Sequence, residues 1–194
     1  EMSFVERDDI PDLGEELFTA LIPAVTPHKR VLSPFPRLSY AEALERFGTD
    51  KPDLRFGMEL VDLTETLRGS GFRVFQTALE EGGRIKGIVA PGCADYVRRQ
   101  LDELGAIAQK QGAKGLVTLA FRADGVKGPA VKFLSESDLA AIAQRLGAGE
   151  GDLVCIVADA GPVVGAALSA SRLTFREQLQ LVAPNLLAFG YVLD

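Results

Sequence analysis

Asp50, Lys51, Asp53 and Arg55 alternate in sign along one short stretch, with Pro52 in their midst. Proline fixes its own backbone and pushes the residue before it, Lys51, towards an extended conformation. Charges on so stiff a loop suit one of two tasks. They can grip an outside phosphate or carboxylate, or they can pair with one another and set the shape of the loop. Lys51, Asp53 and Arg55 are candidates for both, and the sequence leaves the alternatives open. Glu1 and Ser3 form a second candidate set. They alternate with Met2 and Phe4, which places the two polar side chains on one face of an expected strand. An acidic group there suits substrate binding or metal electrostatics, or a hydrogen-bond network at a strand end.

The remaining chemistry-bearing residues point elsewhere. His28, the only histidine, lies between prolines without a ligand-type neighbour. Cys93 and Cys155 fit no metal or redox spacing and read as reduced, partly buried thiols. Gly69-Ser70-Gly71 and Gly82-Gly83 lack the strand–glycine–helix setting of a phosphate loop and read as turns. Arg84, Lys86, Arg98, Arg99, Lys110, Lys114, Lys127 and Lys132 supply a modest positive content, readable as an anion-facing patch or as solvated surface.

These residues need elements to hold them. Ile10, Leu13, Leu17 and Leu21 mark one face of a helix that starts at Asp8-Asp9, accepts Pro11 in its first turn and stops at Pro23 and Pro27. Ser39 with Glu42 forms a capping-box pattern before a short helix ending at Gly48. The charged loop follows, then a short helix expected over 61–68. From about Phe72 the texture becomes α/β. Strands are expected over 85–90, 116–121, 129–133 and 153–157, the last an apolar run covered on both faces. Helices are expected through Val97–Ala108, behind Ser135 and Asp138, and over 163–172.

The chain has 194 residues, 47% hydrophobic and 25% charged, ordinary values for a folded protein with a real core. A net charge of −6 argues against a generic nucleic-acid coat. No apolar run reaches the roughly 18 residues a membrane span requires, and no signal peptide is visible, so a cytoplasmic location is expected. The chain opens without an initiator methionine and ends in an apolar run, which suggests a fragment.

Three stretches resemble one family in the same order. Glu1-Met2-Ser3-Phe4-Val5 is similar to the end of motif 2 of class II aminoacyl-tRNA synthetases, as found in bacterial-type aspartyl-tRNA synthetases. Phe35 to Tyr40, continuing through Arg46-Phe47-Gly48-Thr49-Asp50-Lys51-Pro52-Asp53-Leu54-Arg55-Phe56-Gly57, resembles the segment that follows it. Gly112 to Leu116 and Gly128 to Leu134 resemble the inserted GAD domain. The long middle motif is the specific one.

The resemblance implies an α+β fold in three parts. Residues 1–72 would be a piece of a class II antiparallel-sheet catalytic domain, 73–173 a compact GAD-type insertion, and 174–194 the return into the catalytic domain. It implies a parent enzyme that uses ATP and Mg2+ to activate aspartate and transfers it to tRNA, working as a homodimer. The family's ATP-gripping arginines and metal-holding acids match no position here. No catalytic residue and no metal ligand is therefore assigned, and the fragment is expected to be inactive, free of cofactor and monomeric. Glu1 and Ser3 would face substrate, and Lys51 and Arg55 would touch the tRNA acceptor end or fix the loop. A non-catalytic reading also stands, because a similar module occurs in tRNA-dependent amidotransferase subunits.

Overall fold

The structure, a computed structural model, describes residues 3–193. Its centre is a five-stranded antiparallel sheet built from β3 (Val61–Asp62), β4 (Arg84–Ala90), β5 (Val117–Arg122), β6 (Gly125–Lys127) and β7 (Leu153–Asp159), in the order β3-β4-β7-β5-β6. The middle strand β7 is buried from Leu153 to Ala158. Its side chains alternate between two cores, as the pleat of a strand requires. Leu153, Cys155 and Val157 pack towards α4 (Arg98–Lys110) and α6 (Gly161–Gln178). Val154, Ile156 and Ala158 pack towards α3 (Arg73–Glu80) and α5 (Glu136–Leu146). An antiparallel sheet covered by helices on both faces explains why β7 reads as a continuous apolar run. The expected α+β class is borne out.

A second cluster lies outside this sheet. It consists of α1 (Asp9–Val25), β1 (Arg30–Leu32), β2 (Arg37–Ser39), α2 (Tyr40–Phe47), β8 (Leu186–Ala188) and β9 (Tyr191–Leu193). β1 pairs in parallel with β8, and β2 in parallel with β9, so the end of the described chain returns beside its early part. The capping box of α2 forms as expected. Ser39 Oγ accepts from the Glu42 amide at 3.1 Å, and Glu42 Oε2 accepts from the Ser39 amide at 2.8 Å. Gly48 ends the helix in the left-handed region at φ 70°. A Cβ there would lie 2.2 Å from the Gly165 carbonyl oxygen, so bare glycine lets the end of α2 touch α6.

Several local expectations are corrected. Ser3–Val5 form no strand among the described residues, and Phe4 stands fully exposed at φ 62°. A strand needs a neighbouring ladder, and none pairs with them. The first turn of α1 holds Pro11, but Asp8 makes no side-chain cap bond. The helix also runs through Pro23 to Val25, because one missing N–H is tolerated when the Thr26 amide still reaches the Ile22 carbonyl at 2.7 Å. Val61–Asp62 are drawn into the sheet beside β4, and a turn with Asp62 accepting from the Thr64 amide replaces the expected helix. The strand expected at 129–133 falls instead at 125–127. Gly128, at φ 152°, sits against the Thr118 carbonyl and Pro129 has no donor, so the chain leaves the ladder for a 3-10 turn at Val131–Phe133. The last helix extends six residues beyond Arg172, to Gln178.

The Gly48 contact yields a stability prediction. Gly48→Ala should cost about 2–4 kcal/mol, combining left-handed strain with a backbone clash. Gly69→Ala, which meets nothing within 4 Å, should stay within about 0.5 kcal/mol of the parent. Urea unfolding of the two variants measures the difference.

Candidate functional site

Arg172 organises the charged loop from a distance of more than a hundred residues. It sits on the core stripe of α6 with Val164, Leu168 and Phe175, and is 1% exposed. Its Nη2 donates to the carbonyl oxygens of Asp53 (2.7 Å), Phe56 (3.0 Å) and Gly57 (3.1 Å), and its Nε to that of Met58 (3.1 Å). The guanidinium plane also lies 3.9 Å from the centroid of the Phe56 ring and 5.1 Å from that of Phe47. Burial pulls its pKa below the ordinary guanidinium value, and the Asp53 and Glu59 charges oppose that pull. Four carbonyls and an aromatic face substitute for the water this cation has lost.

Asp53 carries the second half of the clamp. Its carboxylate accepts from Arg55 Nε (2.8 Å) and Nη2 (2.7 Å), from the Arg55 amide (3.1 Å), and from Arg176 Nη1 one helical turn beyond Arg172 (2.8 Å). The fork from Arg55 is bidentate, the geometry for which arginine is suited. Hydrogen bonds from Arg55 hold the Asp53 carboxyl well below the usual carboxylate range. Burial works against them, and the Arg176 bond adds to them.

The other candidates fall in different places. Lys51 is exposed, and only its backbone amide is bonded, to Thr49 Oγ1 at 3.2 Å. Among the described residues neither its ammonium group nor the Asp50 carboxylate has an ion-pair partner, so Asp50 takes no part in the pairing of the loop. Ser3 is exposed and belongs to no ladder, and Glu1 lies outside the described residues. The structure therefore brings Asp53 and Arg55 together and leaves Lys51 facing solvent. Beside the pair, a cleft of about 500 Å³ is lined by Arg55, Arg176, Glu177, Gln180, Val182 and Pro184, among others.

A second charged seam joins α2 to the sheet. Lys86, nearly buried, donates to the Glu45 carbonyl and carboxylate, both at 2.8 Å. Arg84 bridges Glu45 (2.8 Å) and Asp62 (2.6 Å), and Arg46 forks onto Glu59. The basic residues singled out from the sequence are largely neutralised. Arg98, Arg99, Lys114 and Lys127 pair with Asp102, Glu103, Glu81 and Asp124, while Lys132 lies over the Phe133 ring. Cys93 and Cys155 are free and buried in one core, and burial pushes the Cys155 thiol up to about 12. Among the described residues no group of three or more His, Cys, Asp or Glu side chains is arranged to hold a metal ion. Among the described residues no helix is long and apolar enough to cross a membrane.

Residues 75–168 match the family model described as the GAD domain. Over these residues the chain is similar to that family. Over its whole length the chain is 44% identical to the aspartate–tRNA(Asp/Asn) ligase of Rubrobacter xylanophilus and 45% identical to that of Moorella thermoacetica, covering 32% of each. It is 45% identical to the aspartate–tRNA ligase of Geobacillus kaustophilus, covering 33% of it. The chain thus spans about a third of the length of the curated relatives it matches. Among solved structures, a hypothetical protein from Pyrococcus horikoshii aligns at a TM-score of 0.38 and 22% identity, covering 54% of this chain and 55% of that one. The family resemblance carried by Arg46 to Gly57 and by the GAD stretches is borne out. Arg172 and Arg176 lie beside this domain's end, in the half of α6 that leads out of it.

Arg172 and Arg176 were not singled out from the sequence. The available signal was an arginine at helical spacing on an apolar stripe, four residues after Leu168 and three before Phe175. Such a residue needs acceptors for its donors, and here four backbone carbonyls supply them.

The clamp makes stability depend on acidity in a definite sense. Because the folded state lowers the pKa of Asp53, its contribution is complete above the unfolded carboxylate value of about 3.9 and fades as pH falls below it. Asp53→Asn should therefore be clearly less stable than the parent at neutral pH. The gap should narrow progressively below about pH 4. Urea midpoints of both proteins across this range test it, and a gap that widens in acid contradicts the clamp.

Proposed function

We propose that this chain is part of an aspartate–tRNA ligase, an enzyme that activates aspartate with ATP and transfers it to tRNA. The single observation carrying this reading is the 44–45% identity, over the whole chain, to ligases of that name. In this reading, residues 1–72 and 174–194 belong to the catalytic domain and 73–173 to the GAD insertion. The sheet strand β3 and the tail of α6 reach across both boundaries as buttresses. The parent works as a cytoplasmic homodimer. In the parent, ATP and Mg2+ would be held by family residues that match no position of this chain. The chain alone carries no catalytic residue. Glu1 and Ser3 remain substrate-side candidates.

Within the same proposal, Asp53 and Arg55 shape the loop, while Lys51, exposed and without an ion-pair partner among the described residues, is available to tRNA phosphate. The alternative of a binding module from an amidotransferase subunit is less well supported, since the three relatives above are named as ligases.

Aminoacylation by the full-length ligase and by the 194-residue chain tests this reading. The full-length protein should charge tRNA with aspartate, and the chain alone should form no aspartyl adenylate. In the full-length protein Lys51→Ala should weaken tRNA binding several-fold, with a smaller salt dependence and an unchanged Tm. Arg55→Ala should lower the Tm. A full-length protein unable to charge tRNA with aspartate, or adenylate formation by the chain alone, overturns the proposal.

A further inference from the structure

On the sheet face packed by α3, a cleft of about 410 Å³ opens between that helix and the start of β5. Val117 and Ala158 come to it from neighbouring strands, and Val74, Thr77 and Ala78 from α3. Ala78 and Ala158 are buried but short, and Gly115 has no side chain, so the space between helix and strand stays unfilled. Both walls are held in place. Phe75 is wholly buried and roots α3 in the core. The bare Gly83 lets the end of the helix close on β7, where a Cβ would lie 2.6 Å from the Asp159 carbonyl oxygen and 2.7 Å from that of Ala78. Across the cleft, the Lys114 amide donates to Asp159 Oδ2 at 3.0 Å. Fixed walls leave little to be ordered when a ligand enters.

The charges are one-sided. Among the described residues no carboxylate lines this cleft, while Arg73 and Lys114 do. The Lys114 ammonium is engaged by Glu81 at 2.6 Å. Arg73, at the start of α3, is exposed and has no ion-pair partner among the described residues. The cleft beside Arg55 differs, since both its guanidinium groups are already bonded to Asp53. Small-molecule sites are mostly apolar cavities of roughly 300–1,000 Å³ with a few polar groups that fix orientation. Here the one uncommitted polar group is a guanidinium fork, which suits an apolar body carrying a single carboxylate.

We propose that this cleft binds a small-molecule carboxylate with a fused-ring or branched aliphatic body. Arg73 takes the carboxylate in a bidentate fork, and the aliphatic surface of Val74, Leu116 and Val117 takes the body. Aspartate itself does not fit, because its ammonium group and second carboxylate would be left without partners against the apolar lining. The site is therefore separate from any site of substrate activation. It is built wholly from residues of this chain and does not rest on the ligase reading.

Equilibrium dialysis of naphthalene-2-carboxylate against the full-length protein tests the proposal, with naphthalene-2-carboxamide as the uncharged counterpart. The acid should bind saturably and at least about tenfold more tightly than the amide. Arg73→Met keeps the apolar stem and removes the fork. It should erase that preference while leaving the affinity for the amide within about twofold of the parent's. Gly115→Phe fills the cleft from a position whose Cβ meets nothing within 4 Å, and should weaken acid and amide alike by at least about tenfold. Thr77→Trp serves the same purpose should Gly115→Phe fail to fold. Equal binding of acid and amide by the parent overturns the proposal, as does the absence of saturable binding at millimolar probe. Acid binding that survives the filled cleft places the probe elsewhere on the protein and overturns it too.

Discussion

A guanidinium buried without a carboxylate of its own is tolerated only if something replaces its water. Arg172 meets that constraint with four backbone carbonyls from a single loop and the faces of two phenylalanines. The consequences run outward from there. The loop Asp53–Met58 must curl so that its carbonyls converge, which in turn points the Asp53 side chain away to meet Arg55 and Arg176. Phe47, at the end of α2, must lie beside the same cation, so the capping box at Ser39 and the glycine at 48 fix one wall of the site. The loop is therefore the receptor for an arginine from α6, the helix in which the GAD-domain match ends.

This arrangement gives the two parts of the chain one shared mechanical element. α6 covers the central strands of the five-stranded sheet, and its second half grips the loop. The Glu45–Lys86–Arg84–Asp62 seam makes a second attachment on the other side of α2. Lys86 is nearly buried, so losing Glu45 would strand a charge, the situation in which a salt bridge matters most. Two independent tethers thus fix the five-stranded sheet and α6 against α2 and the charged loop. A proposed tRNA contact at Lys51 would then be presented from a fixed position.

Much of this was legible in the sequence, for identifiable reasons. The capping box at Ser39, the glycine stop at 48 and the helix start behind Ser135 and Asp138 are local signals, and all three appear where expected. The β7 run is legible because burial on both faces erases polar alternation. The misreadings have a common cause. Val61–Asp62 and the residues near Pro129 take their state from a neighbouring strand or a close carbonyl, which local periodicity does not encode. For the site, Asp53 and Arg55 stood out among the alternating charges of the loop, with pairing and outside contact both open. Their partners Arg172 and Arg176 lie 119 and 123 residues away, beyond any spacing argument. The apolar stripe of α1 was read correctly as a helical face. In the structure that face is exposed among the described residues.

Hydrogen exchange at the loop is the most direct test of the clamp. The Arg55 amide donates to Asp53 and the Leu60 amide to the Arg46 carbonyl, and both depend on the loop keeping its curl. Arg172→Met keeps the length of the side chain and removes the donors. The account predicts that protection at Arg55 and Leu60 falls by at least about 100-fold, the loss of roughly 3 kcal/mol of local stability, while β4 and β7 amides keep most of theirs. Unchanged protection at both amides in Arg172→Met would contradict the clamp.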